Sequence, residues 1–172
     1  MPERNGCADV MGMEAWKDFF VAIAGSAAAL TGLIFVGISI SLTKILAFPS
    51  LPSRASESLI LLTTLLITSA LSLIPAQSAL LLGTEYLSIG IIVWVITLRL
   101  DNSMLKQTDK EYKRHFILTI LLSQLSVLPY ITAGIMILIN GFSGVYWLIP
   151  GIVFSFIKSI LDAWVLLVEI NR

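Results

Sequence analysis

The chain has 172 residues, of which 57% are hydrophobic and only 13% charged, and its formal net charge is zero. Soluble domains carry roughly a quarter charged residues, so this chain lacks the polar surface that a water-soluble fold must present. Zero net charge gives no hold on nucleic acid, the single cysteine (Cys7) excludes an intrachain disulfide, and the single histidine (His115) excludes a histidine-rich metal site.

The few charges are bunched, and five charge-free runs separate them: Phe19 to Leu42, Leu59 to Leu82, Tyr86 to Leu98, Phe116 to Ile139 and Trp147 to Ile157. A bilayer core takes about 20 apolar helical residues to cross. Three runs reach that length, and the two shorter ones reach it with their flanks. The expectation is an all-α polytopic transmembrane bundle of about five spans, occupying residues 1–172 as one domain with the lipid bilayer as its solvent. The first 14 residues carry acidic groups and no basic start before an apolar run, so no cleavable leader is expected.

Helix one is predicted over about 15–45, with Trp16 and Lys17 suited to the membrane interface. Its small residues Ala22, Gly25, Ser26, Ala29, Gly32 and Ser39 recur at helical steps and form a packing stripe. That stripe suits close packing on helix two or five, the preferred reading, or packing between subunits. Pro49 and Pro52 end the helix, and Ser53 is placed as the cap of helix two, with Glu57 in the turn that follows. Helix two is predicted over about 54–82 and kinked at Pro75, followed by a tight turn at Gly83 and Thr84. Helix three, about 85–100, is the shortest. A four-span chain would need one re-entrant run, and helix three is the one candidate. Residues 101–114 read as a polar cytoplasmic loop. Helix four, about 115–139, contains Pro129. A turn at Asn140, Gly141 and Gly144 leads to helix five, about 146–170, with Pro150 in its first turn.

Eight lysines and arginines fall on the side of the 44–54 loop, the 99–114 loop and the C-terminus, against two on the other side. The positive-inside rule then puts the N-terminus outside and the C-terminus in the cytoplasm.

Two hydroxyl rows stand out as a candidate polar path. Glu57, Thr64, Thr68 and Ser72 share helix two; Thr119, Ser123, Ser126 and Tyr130 share helix four. Such rows line a wet path or bond their own backbone. Lys158 and Asp162 lie one turn apart near the middle of helix five, where an unpaired charge costs about 3 kcal/mol or more. They are expected to pair away from lipid, either as a structural lock or as an ion, proton or substrate station. No nucleophile constellation, phosphate loop or metal spacing is present, so neither an enzyme nor a cofactor is expected.

The stretches Trp16-Lys-Asp-Phe-Phe20, Ser26-Ala-Ala-Ala-Leu-Thr-Gly-Leu-Ile-Phe-Val36 and Ser39-Ile-Ser41 resemble a family of small bacterial multi-span inner-membrane proteins. So do Leu51-Pro-Ser-Arg-Ala-Ser-Glu57, Tyr146-Trp-Leu-Ile-Pro-Gly151 and Ala163-Trp-Val-Leu-Leu-Val-Glu169. The resemblance covers nearly the whole chain and implies a bacterial inner (cytoplasmic) membrane. Some members carry the label of modulators of a membrane-bound AAA protease. Relatives often resemble asparagine at the place of Asp162. Two functions follow as expectations: a homo-oligomeric channel or pore for ions or small solutes, or a non-conducting regulator that binds another membrane protein.

Overall fold

The computed structural model describes residues 14–47, 51–107 and 113–170, and these are helical with no strand. The helices are α1 (Lys17–Ile40), α2 (Leu42–Ala47), α3 (Leu51–Ser72), α4 (Ala79–Gln107), α5 (Lys113–Asn140) and α6 (Leu148–Ile170), with a 3-10 segment, Gly141–Trp147, between the last two. Four helical segments are long and apolar enough to cross a bilayer: Lys17–Ile40, Leu51–Ser72, Ala79–Leu105 and Ile117–Val168. The fourth is 52 residues long and doubles back on itself. A Cβ on Gly144 would lie 2.4 Å from Ile137 N, and one on Gly151 would lie 3.1 Å from Pro129 Cβ. Further along, Ser155 Oγ reaches Ser126 O at 3.4 Å. These contacts pair α5 and α6 antiparallel, with Gly141 at φ 67° starting the reversal.

Several boundaries differ from the sequence expectation. Helix one is split at Ser41, whose N–H turns back to the Gly37 and Ile38 carbonyls. Ser53 lies inside the first turn of α3, not at its cap, because the helix has begun by Leu51; Pro49 falls outside the described residues. The largest correction concerns Pro75. It does not kink a long helix two. The helix stops at Ser72, and Pro75 sits in the link to α4, where Ala76 takes φ 55°. A proline ring clashes with the preceding turn and removes a donor, so ending the helix is the cheaper solution. Gly83 and Thr84 are consequently not a turn but part of α4.

Helix three is therefore the longest, at 29 residues, and spans about 43 Å at ~1.5 Å per residue. Its length removes the ground for a re-entrant third run. It also absorbs the start of the expected 101–114 loop, so Asp101 is helical and buried; residues 108–112 of that loop lie outside the described set.

α3 is the central helix, packed by α1, α4 and α6. The tightest seam joins α4 to α5. A Cβ on Gly134 would lie 2.7 Å from Leu87 N, and one on Gly90 would lie 3.1 Å from Ile131 N. With no hydrophobic drive inside lipid, such close backbone approach supplies the packing energy. The main apolar core gathers Phe20, Leu62, Leu65, Leu82, Tyr86, Tyr130, Ile137 and Leu148. Leu33, Phe35, Ile40, Leu121, Ile139 and Trp164 point outward, as side chains facing lipid do.

Candidate functional site

α3, α4 and α6 each carry charged side chains into the interior, and α5 adds polar ones. Lys158 on α6 is 1% exposed although it lies about 15 Å along its helix. One turn later on the same face, the Asp162 carboxylate accepts its ammonium hydrogen bond. The expected pair therefore exists, but it does not stand alone. Glu57 Oε2 on α3 is 3.0 Å from Lys158 Nζ, in an ion pair whose angles fall outside hydrogen-bond geometry. Arg54, one turn before Glu57, brings its guanidinium to 3.7 Å from Asp162 Oδ1. Arg54 is 19% exposed and is the wettest member of the set.

Asp101 on α4 completes the cluster. It is buried and lies within electrostatic reach of Glu57 and Lys158. Its Oδ2 accepts from Gln124 Nε2 at 3.3 Å, and Gln124 Oε1 accepts from Trp94 Nε1 at 2.8 Å. That three-residue relay ties α4 to α5 on the seam that the glycines open. The Ser123 hydroxyl lies beside Asp101 but does not reach hydrogen-bond geometry with it. Among the described residues, Glu57 Oε1, Asp101 Oδ1 and Ser123 Oγ are buried with no hydrogen-bond partner. Among the described residues, the cations Arg54 and Lys158 pair with the carboxylates Glu57 and Asp162.

The expected polar path has two halves with different outcomes. On α3, Thr64, Thr68 and Ser72 are buried, and each hydroxyl donates to a carbonyl one turn back: Ile60, Thr64 and Thr68 respectively. Tyr86, on α4, adds a hydroxyl at 2.6 Å from Ser72 Oγ and 2.9 Å from Thr68 O. On α5, Ser126 bonds Leu122 O, and the Tyr130 hydroxyl lies 3.3 Å from Ser155 Oγ. Thr119 is half-buried near the start of the helix and has a partner of its own. Ser159 Oγ reaches Ser58 O at 3.4 Å. Buried polar groups thus run along the core from Ser72 and Tyr86, past Tyr130 and Ser155, to Ser58, Ser159 and the charge cluster. At the Ser72 end a cavity of about 160 Å³ is lined by Glu14, Lys17, Ser72, Pro75, Gln77 and Phe142.

The small-residue stripe lies elsewhere. Ala22, Gly25, Ser26, Ala29, Gly32 and Ser39 are all exposed, and a Cβ on Gly25 or Gly32 would meet nothing within 4 Å. α1 instead uses Phe20, Ile23, Ala27, Leu30 and Ile34 against the core. The preferred reading, packing on helix two or five of the same chain, is not what the fold does with this face. Ser26 and Ser39 hydroxyls bond their own backbone at Ala22 O and Phe35 O.

Sequence reasoning missed Asp101, Arg54, Gln124, Trp94 and Tyr86. A signal for Asp101 was present: Gly83, Gly90, Thr97 and Met104 recur every seven residues, and Asp101 lies seven after Trp94, so the helical register continues through the charged segment. Among the described residues, no three His, Cys, Asp or Glu side chains converge as a metal site. Comparison with models of protein families, with curated proteins and with solved structures finds no match.

Proposed function

We propose that the chain is a five-crossing protein of a bacterial inner membrane, N-terminus outside, that assembles with copies of itself and conducts ions through each subunit. The observation that carries this reading is the Arg54–Glu57–Asp101–Lys158–Asp162 cluster inside an otherwise apolar bundle. Ionisable groups at membrane depth are costly and are characteristic of ion and proton pathways. The buried polar line from Ser72 and Tyr86 leads to the cluster, and Arg54, 19% exposed, gives it an opening at the other end.

The crossing count and sidedness rest on the doubled-back Ile117–Val168 segment and on the eight-to-two split of basic residues. The membrane's identity rests on the resemblance at Trp16–Val36 and Tyr146–Gly151. Assembly rests on the open face of α1: Gly25 and Gly32, with no neighbour to a Cβ among the described residues, permit the close helix contact that lipid does not drive by itself. The path lies within the subunit, so symmetry would multiply pores and not create one. Purified protein in liposomes should dissipate an imposed ion gradient faster than empty liposomes. Its mass in native-lipid discs should exceed 18.8 kDa by a whole multiple.

The same open α1 face favours one second reading, a non-conducting regulator that lays this helix on another membrane protein. A monomer in native-lipid discs together with no ion flux would select it.

A further inference from the structure

We infer that a groove between α1 and α6 seats one acyl chain of an anionic phospholipid, with the lipid's phosphate held at the end marked by Lys44 and Arg54. The site does not depend on the channel reading; it needs only that the chain sits in a bilayer.

The groove follows from how the helices meet. α1 and α6 both pack on α3 and scarcely on each other, so a gap remains between them. Leu33, Gly37, Ile40 and Ser41 of α1 line one side, and Ala163 and Leu167 of α6 line the other. The helix break at Ser41 brings in α2, whose Ile45 joins the lining and packs with Leu51 and Ala55 of α3 and Leu166 of α6. A Cβ on Gly37 would meet nothing within 4 Å, so the α1 wall is open at that point. The cavity measures about 400 Å³, within the range of small-ligand sites.

Its lining is uncharged and almost wholly apolar. A trapped water needs two to four polar partners, and these walls do not offer them, so hydrocarbon is the filling that a bilayer supplies. The groove follows the helix axis for about 10 Å from Leu33 to Ile40 at ~1.5 Å per residue. One leaflet of a hydrocarbon core about 30 Å thick is roughly 15 Å deep, so the groove and an acyl chain of the adjoining leaflet match in length. A helix from a second copy, roughly 10 Å across, would occupy about 800 Å³ over the same stretch, about twice the space present.

The α2 end carries the charge that a phosphate needs. Lys44 is exposed, directly precedes Ile45 and bonds the Ser41 carbonyl through its backbone N–H at 3.1 Å; it also has a further partner of its own. Arg54, 19% exposed, lies 3.7 Å from Asp162, the residue before Ala163. Basic side chains between membrane helices at headgroup level recognise anionic lipid. An apolar slot with cations at one end has the polarity of a phospholipid.

Native mass spectrometry of the full chain, equilibrated in mild detergent with equimolar dioleoyl phosphatidylglycerol and dioleoyl phosphatidylcholine, tests the site. The parent should retain one lipid per subunit and favour phosphatidylglycerol about fivefold or more. Gly37→Trp fills the groove and should remove most of the retained lipid. Gly32→Trp, at an equally open position of α1 outside the lining, should leave retention unchanged. Lys44→Gln should cut the preference about fivefold, the worth of one basic residue at an anionic surface. It changes an exposed side chain and so carries the test if Gly37→Trp does not fold. No retained lipid in the parent, equal retention of the two lipids, or a preference unmoved by Lys44→Gln overturns the proposal. So does a folded Gly37→Trp that keeps its lipid but loses subunit assembly, which would give the groove to a second copy. Absence of ion flux from parent liposomes would remove the channel and leave the lipid result standing.

Discussion

α1 and the α3–α6 block are built from similarly apolar sequence, yet they hold themselves in place by opposite means. α1 touches the rest of the chain mainly through one side on α3, and its glycines open onto empty space. In the α3–α6 block a Cβ added to Gly90, Gly134 or Gly144 would lie 3.1, 2.7 or 2.4 Å from facing backbone, and Arg54, Glu57, Lys158 and Asp162 meet in the interior. The contrast teaches that small residues in a membrane helix mark close contact but not with whom. In α4 and α5 the contact is inside the subunit. In α1 it is left for a neighbour.

The strongest way to break this contrast is to strip the cluster of its central cation. Lys158→Met leaves Glu57 and Asp162 buried without their shared partner, and removing one member of a buried ion pair typically costs about 3–5 kcal/mol. Folded yield and the thermal midpoint in mild detergent should both drop sharply. Adding Asp162→Leu should restore only part of the loss, because Glu57 and Arg54 still depend on the missing groups. Full recovery would mean that Lys158 and Asp162 form an isolated pair.

A somewhat smaller effect is expected at the α4–α5 seam. Gly134→Leu must push Leu87 backbone away from a 2.7 Å contact, and overpacking of this kind costs about 1–3 kcal/mol or more. The same substitution at Gly25 or Gly32 should leave the subunit's thermal midpoint unchanged, since an added Cβ there meets nothing within 4 Å among the described residues. It should instead lower the mass measured in native-lipid discs. Loss of the subunit fold in Gly25→Leu would show that α1 packs on its own chain after all.

Tyr86→Phe sharpens the comparison at the lower end of the scale. It removes the contacts with Ser72 Oγ and Thr68 O, and hydrogen bonds between membrane helices average about 0.6 kcal/mol. The fold should survive with a small shift in the unfolding midpoint, while any transport along the core should slow.

Much of the architecture was legible from the sequence because apolar run length is a direct record of bilayer thickness. The helix content, the turn at Asn140–Gly144 and the Lys158–Asp162 contact all followed from spacing alone. The boundaries between α3 and α4 did not. Gly83 after Leu82 reads locally as a turn, and only the Leu138 side chain and the Gly134 carbonyl of α5 across from it explain why a glycine sits mid-helix. Asp101 was hidden for a related reason. It opens a run dense in charge, and such runs are usually solvated, yet its own helical face is the one that carries Gly90 and Trp94 inward. Arg54 and Glu57 were visible as residues, but their convergence on Asp162 and Lys158 depends on how α3 and α6 cross, which no local pattern encodes.

If the buried cluster of the α3–α6 block carries ions through the subunit, Glu57→Gln tests that most directly. Glutamine keeps the size and an acceptor facing Lys158, and it removes the carboxylate charge of the ion pair. Liposomes loaded with an ion-sensitive dye should lose an imposed ion gradient when they contain the parent protein. They should hold it at the level of empty liposomes when they contain Glu57→Gln of matching helix content and assembly. Equal ion flux in the two proteins, or none above empty liposomes in the parent, would contradict it.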